Sequence, residues 1–457
     1  MKRRSFLKTV AVGSVSTSFI TSKLLAESNT LNTISFDDNE FKAIVTIFLS
    51  GGNDSVNMLV PYHEDKYSDY KEQRPSLAIP RENLNPLNPE DVSEEACATH
   101  PYLPKINQMY RDKKLAFVAN VGTLVKPTTQ EEVIRKTAIL PPHLFAHGSQ
   151  RDIWASCQPF TLNKTGWAGR LSDEVTLGED DFPFNQSIKG KNLWQKGIKT
   201  QPYIYSVGGV KQFGGFTTKF SATTKAVVED ISNITSENPL LNAYTKIQQS
   251  SISKSRKVTA ALAGVTLNTN FPDNPINKKR SYLMQQVRML SRVLKQKSLL
   301  SNSTNKGTYY IEQSGYDSHA NQTRKINNAY QDLDDAVYSL SQALEELGLT
   351  DKVTVICMSD FGRSVGNNNG GTGHGWGGHY FTFGGAVKGG KIYGDLPDLS
   401  KESKDLVLHR RLLPTTSTEQ YFATVTKWFG LSDAENLGLF PNLKNFPEEK
   451  RDLGFMG

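Results

Sequence analysis

Apolar residues along this chain fall into two spacings. Short unbroken runs rich in β-branched residues have the length of buried strands. They are Phe41 to Leu49 (FKAIVTIFL), Lys114 to Val121 (KLAFVANV), Gly307 to Gln313 and Val353 to Ile356, with a weaker run from Pro202 to Val207. Stripes at three- to four-residue steps predict helices. One holds Leu283, Val287, Leu290 and Leu294. The strongest holds Ile326, Tyr330, Leu333, Val337, Leu340, Leu344 and Leu347, and Gly348 stops it. Further helices are expected around Glu131–Ala138, from Thr165, over Leu240–Lys254, and from a capping-box start at Thr416–Glu419 to Gly430. Strand, helix and strand from Gly307 to Ile356 make a βαβ unit. Its two strands must run parallel, with their C-terminal ends on one edge of the sheet.

The residues just past these strand ends carry the chemistry. Ser50-Gly51-Gly52-Asn53-Asp54-Ser55 follows the first strand, where an Asx turn is the commoner use of such residues. Asp317 and His319 follow the Gly307 strand, two apart, so in extended backbone both project to one face. Asp360 ends the Val353 strand, and a Gly/Asn-rich loop beyond it carries Arg363, His374 and His379. A second glycine run, Gly384 to Gly390, reads as a hairpin turn between short strands. Three of the eight histidines thus lie in two strand-end loops, and parallel topology brings those loops together. His143 and His147 stand four apart among prolines that favour a loop, with Ser149 as the nearest hydroxyl. Mixed Asp and His donors suit zinc, manganese or a similar divalent ion, one or two in number, and hardly suit calcium.

Composition narrows the class. At 457 residues with 37% hydrophobic content, the chain is long enough for one large α/β domain or two domains. The first residues, Met1-Lys2-Arg3-Arg4-Ser5-Phe6-Leu7-Lys8, match the R-R-x-F-L-K pattern of a twin-arginine export signal. The segment after them holds too many Ser, Thr and Lys residues for a stable membrane anchor. Cleavage after Ala26 would remove five basic residues and no acids, taking the formal charge from +7 to about +2. That balance offers no case for nucleic-acid binding. Expected boundaries are therefore a signal over 1–26, a polar linker over 27–40, and one domain over 41–457 with a covering insertion near 160–280. Location is expected to be periplasmic or secreted. Cys97 and Cys157 are a weak disulfide pair, and no Cys spacing suggests structural zinc.

Several stretches together resemble one exported bacterial family of unknown function, itself similar to the alkaline phosphatase and sulfatase superfamily. They are SGGNDSVNMLVPY, TGWAGRL, GYDSHANQ, SDFGRS, GTGHGWGGHYFTFGGAVKGGKIYG and LLPTTSTEQYFATVTKWFG. The resemblance implies a three-layer alkaline-phosphatase-like α/β sandwich with a mostly parallel central sheet and metals at the strand tips. It matches Asp54 to the acid that ligates the metal beside the nucleophile, and Asp317 to a ligand of the other metal. Where phosphatases place a His four residues beyond that second Asp, this chain has Asn321. Where a His follows the next Asp, here Phe361 follows Asp360. Comparable family members often carry Ser-His at Ala146-His147 and Asp-His-Gly at Gly373-His374-Gly375. No sulfatase-type Cys-x-Pro-x-Arg signature is present.

The expectation is a periplasmic metal-dependent hydrolase of a phosphate or sulfate ester, the ester being a small molecule or borne on a polymer. Asp54, Asp317, His319, Asp360, His374 and His379 are the expected metal ligands. His147, Ser149 and Arg363 are the expected catalytic groups, Arg363 because its planar fork binds oxyanions. The alternative from another class is a non-catalytic exported binding or assembly protein that keeps the fold.

Overall fold

The computed structural model describes residues 34, 36, 40–161, 164–178, 181–210, 222–232, 237–368 and 370–457. The export signal over 1–26 and nearly all of the 27–40 linker lie outside the described residues. A nine-stranded sheet forms the centre. Its strands are β1 (Lys42–Ser50), β2 (Leu115–Gly122), β3 (Asn185–Ser187), β4 (Tyr203–Ile204), β5 (Lys306–Ser314) and β6 (Val353–Ser359). Beyond a two-stranded hairpin, β7 (Arg363–Asn368) and β8 (Gly371–His374), come β9 (Gly378–Gly384), β10 (Ile392–Tyr393) and β11 (Thr416–Ser417). The order is β10-β2-β9-β6-β1-β5-β3-β4, with β11 also on β2. All pairings are parallel except those of β9, which runs antiparallel to both β2 and β6.

The sheet is covered on both faces, which is why β1, β2, β5 and β6 read as continuous apolar runs rather than alternating ones. Five helices matter to the site: α1 (Glu64–Gln73), α2 (His147–Ser156), α3 (Tyr282–Lys295), α4 (Gln322–Glu346) and α5 (Thr418–Phe429). Side chains of opposite parity on β5 identify the layers. Tyr310 bonds Arg151 of α2, whereas Gln313 donates to the Ala329 carbonyl of α4. Helix α3 packs on α4 and on β5, and α5 packs over β1 and β2. The long stripe read from Ile326 to Leu344 is the buried face of α4.

The α/β class and mostly parallel sheet match the expectation, and β5-α4-β6 is the expected βαβ unit. Strand β1 inserts between β5 and β6, so the two are parallel without touching. Two local readings change, and the loop expected around His143 holds as far as His147. The Gly/Asn stretch after Asp360 is a hairpin rather than a loop. The strands on either side of the Gly384–Gly390 turn do not pair with each other, because β2 lies between them. His143 sits in a turn at φ 51° while His147 begins α2, so the two share no helical face. All three cysteines are free and buried. Among the described residues, no helix is long and apolar enough to cross a membrane.

Candidate metal centre

Three parallel strands end level at one sheet edge, with Ser50 opposite Ser314 and Leu49 opposite Ser359. Glycine lets the loops beyond them close on one another. Gly51 adopts φ 117°, and a Cβ there would sit 2.3 Å from the Asp317 nitrogen. Its own N–H donates to Asp360 Oδ2 at 2.8 Å. Gly371 lies equally tightly against the His319 backbone, where a Cβ would come within 2.1 Å of the carbonyl carbon.

Two imidazoles meet in the space so formed. His147 Nδ1 lies 2.7 Å from Asp360 Oδ2, and an ionised carboxylate only accepts, so this nitrogen carries the proton. His374 Nδ1 lies 2.6 Å from the Phe145 carbonyl oxygen, again an acceptor. Both Nε2 atoms therefore present lone pairs, and they face each other across 3.1 Å. Asp317 Oδ1 stands 3.6 Å from His147 Nε2 and 3.7 Å from His374 Nε2. Neither imidazole can donate across that gap, so two lone pairs and a carboxylate oxygen converge, an arrangement that a cation would relieve. The donor set thus fits a divalent metal ion held by His147, Asp317 and His374. One oxygen of the buried Asp360, Oδ1, has no partner among the described residues, a second sign of an incomplete site.

His319 completes the rim. Its Nε2 is 3.1 Å from both His374 Nε2 and Asp317 Oδ1, while its Nδ1 faces the Arg363 guanidinium at 3.5 Å. Since the guanidinium only donates, the His319 proton belongs on Nε2, unlike that of the other two. Phe361 packs its ring 4.8 Å from His147 and 5.0 Å from His374, centroid to centroid, as an apolar backing to both. The hydrogen bond to Asp360 raises the His147 pKa, and the charges of Asp360 and Asp317 add to it. Burial lowers that of His374. Burial opposes the charge of Asp317, but the Arg363 hydrogen bond and charge, with His319 and His147, hold its carboxyl below the usual range.

Not every expected side chain joins this group. Asp54 is fully buried and bidentate on Arg74, Oδ1 to Nη1 at 2.8 Å and Oδ2 to Nη2 at 2.7 Å, with Gln322 Nε2 also donating to it. Three donors and the Arg74 charge hold it in a site sealed from solvent, and it does not converge with His147, Asp317 and His374. His379 is buried in β9 with Nδ1 accepting from the Asn120 N–H at 3.3 Å, and burial lowers its pKa to about 4. Asp360 acts through His147 rather than beside it. Arg363 is fully buried and uses all five N–H groups on Asp317, Gly51, Thr372 and His319, so it orients the acid and leaves no donor for an anion. Ser149 is half-buried in the first turn of α2. The partners missed in the sequence are those whose role is only spatial. Arg74 lies 20 residues from Asp54. Arg411 donates to the His374 carbonyl at 2.6 Å and stacks 4.0 Å from the Phe145 ring. The adjacency of Phe145 to His147 was the one local signal available.

Residues 265–437 match the model of a family described as a protein of unknown function (DUF1501), a segment that holds Asp317, His319, Asp360, Arg363 and His374 but not His147. No curated protein sequence matches the chain. Among solved structures the chain is similar to Ps i-CgsB in complex with k-i-k-neocarrahexaose, at 12% identity and TM-score 0.36, covering 89% of this chain and 77% of the other. It is similar to the PsFucS1 sulfatase from Pseudoalteromonas sp. at 12% identity and TM-score 0.35, covering 92% and 70%. It is also similar to the C-terminal periplasmic domain of EcEptC from Escherichia coli, a complex with Zn, at 10% identity and TM-score 0.33, covering 88% and 86%.

Proposed function

We propose that this protein is an exported, metal-dependent hydrolase of phosphate or sulfate esters with an alkaline-phosphatase-like site. The observation that carries the reading is the pair of Nε2 lone pairs facing each other beside Asp317. The Asp360 carboxylate behind His147 and the Phe145 carbonyl behind His374 fix the tautomers that leave both nitrogens free for a metal. Zinc suits two imidazoles and a carboxylate best and manganese next, with a position left open in the coordination sphere. When bound, such an ion polarises an ester oxygen and acidifies a coordinated water. The chain's own residues do the rest. Arg363 holds Asp317, Asp360 holds His147, and His319 carries a proton on Nε2 at the exposed rim, where a leaving oxygen can take it. The nucleophile in this reading is water or the Ser149 hydroxyl. Export follows the twin-arginine pattern over 1–26, and residues 41–457 act as one domain with a covering insertion near 160–280.

A binding or assembly protein that merely keeps the fold is the second reading. The Asp54–Arg74 pair favours it, since that pair removes one carboxylate from any two-metal site. Elemental analysis of the purified protein separates the two, together with assays on aryl phosphates and sulfates. Roughly one zinc or manganese per chain, with ester turnover lost in Asp317→Ala and His374→Ala, supports the hydrolase. A folded, metal-free and inactive wild type overturns it.

A further inference from the structure

A cleft of about 730 Å³ opens beside the metal centre, with Asp317 on its wall. It runs from there along the C-terminal end of β5, between the start of α3 and the first three turns of α4. That volume suits a whole small-molecule ligand, far more than one tetrahedral oxyanion. Besides Asp317, one acid that lines it is paired with an arginine and one is hydrogen-bonded to an amide. Glu312 accepts from Arg151 Nη2 at 2.5 Å and Tyr310 OH at 2.7 Å, and Asp332 accepts from Asn274 Nδ2 at 2.5 Å. The bases differ. Lys189 and Lys325 line the cleft, and neither has a carboxylate within ion-pair distance among the described residues. Lys189 Nζ is poised 4.7 Å over the ring of Tyr282, which also lines the cleft. The positive end of the α3 dipole adds to the same field, since Ser281 and Tyr282 open that helix.

We propose that this cleft holds the remainder of the substrate, and that the substrate is a polyanionic ester. One oxyanion meets the metal centre, and a second is bound by Lys189 and Lys325. The inference rests on the hydrolase reading above and narrows it from esters in general to esters bearing a further anionic group.

The test is calorimetric titration of the zinc-loaded full chain with a trisulfated disaccharide, its phosphorylated counterpart and the unmodified parent. Zinc content measured on the same samples reports on the hydrolase reading separately. The expected result is binding of one or both anionic disaccharides and at least about tenfold weaker binding of the parent. The double variant Lys189→Gln/Lys325→Gln should keep its zinc and lose about 10- to 100-fold in affinity for the anionic ligand. Lys189→Arg/Lys325→Arg should restore most of that loss. The relative strength of the sulfated and phosphorylated ligands identifies the anion. Equal binding of charged and uncharged disaccharides overturns the proposal, as does unchanged affinity in the glutamine variant with zinc retained.

Discussion

Asp54 and Asp317 follow the C-terminal ends of neighbouring parallel strands, and each carboxylate meets a fully buried arginine. Their fates differ because of how many donors reach them. Asp54 receives two bonds from Arg74 and a third from Gln322 in a site with no solvent access. Asp317 receives one bond from Arg363 and keeps about half its side chain exposed, its Oδ1 turned toward the imidazoles. A carboxylate at a sheet edge becomes structural when donors seal it from solvent and functional when an oxygen is left open. Residue type and position along a strand do not decide between these outcomes.

Removing the arginine from the sealed site should have the largest effect. Arg74→Ala strands a buried charge and should destabilise the fold by about 3–5 kcal/mol in chemical denaturation. Asp54→Asn should cost less and leave metal content unchanged. At the open site the pattern reverses. His374→Ala should unfold like wild type in the metal-free state and Asp317→Ala somewhat more easily, because it unpairs Arg363, while both should lose more than about 100-fold in zinc affinity, read by competition with a chelator. Loss of zinc in Asp54→Asn as well would erase the distinction between the two carboxylates. Asp360→Asn probes the layer behind the ligands and should weaken zinc about 10- to 100-fold by freeing the His147 tautomer.

Glu419 sharpens the comparison as a third case. It is buried in the first turn of α5, where the Asn442 N–H and Nδ2 donate to its carboxylate. Burial raises its pKa to about 8, with those hydrogen bonds and the Arg170 charge opposing. The folded state then binds its proton more tightly than the unfolded state. Stability from this group therefore falls as pH rises from about 4.5 to about 8 and is level above that. Glu419→Gln should melt with wild type near pH 4.5 and several degrees above it at pH 8.5, by at most about 5 kcal/mol for a rise of this size. His379 and His100, with pKa values lowered by burial to about 4 and about 3, act in the opposite sense. Their contribution is present above about 6.5 and lost as pH falls through those values.

The fold was legible in the sequence wherever one element buries both faces or one stripe. Phe41–Leu49, Val353–Ile356 and the Ile326–Leu347 stripe declared themselves because burial on a sheet or under a helix demands unbroken or periodic apolar residues. The order of strands was not legible, since nothing local in β1 says that it separates β5 from β6. The same limit applied at the site. Asp317, His319 and His374 could be grouped because parallel strands must end together. The roles of Asp54, His379 and Arg363 depended on which donors and acceptors folding places against them. Arg74 is too far from Asp54 in sequence to announce itself, and Phe145 and Thr372 are too ordinary in type.

The hairpin that carries His374 has one more consequence. Arg363 and His374 are cross-strand partners, the first residue of β7 opposite the last of β8. An insertion or deletion in the β7–β8 tip that keeps this register leaves ligand and guanidinium together. A single-residue slip of one strand would turn one of them to the opposite face. Across evolutionary time the tip is therefore free to change length in steps that conserve pairing, and the two residues are inherited as one cassette.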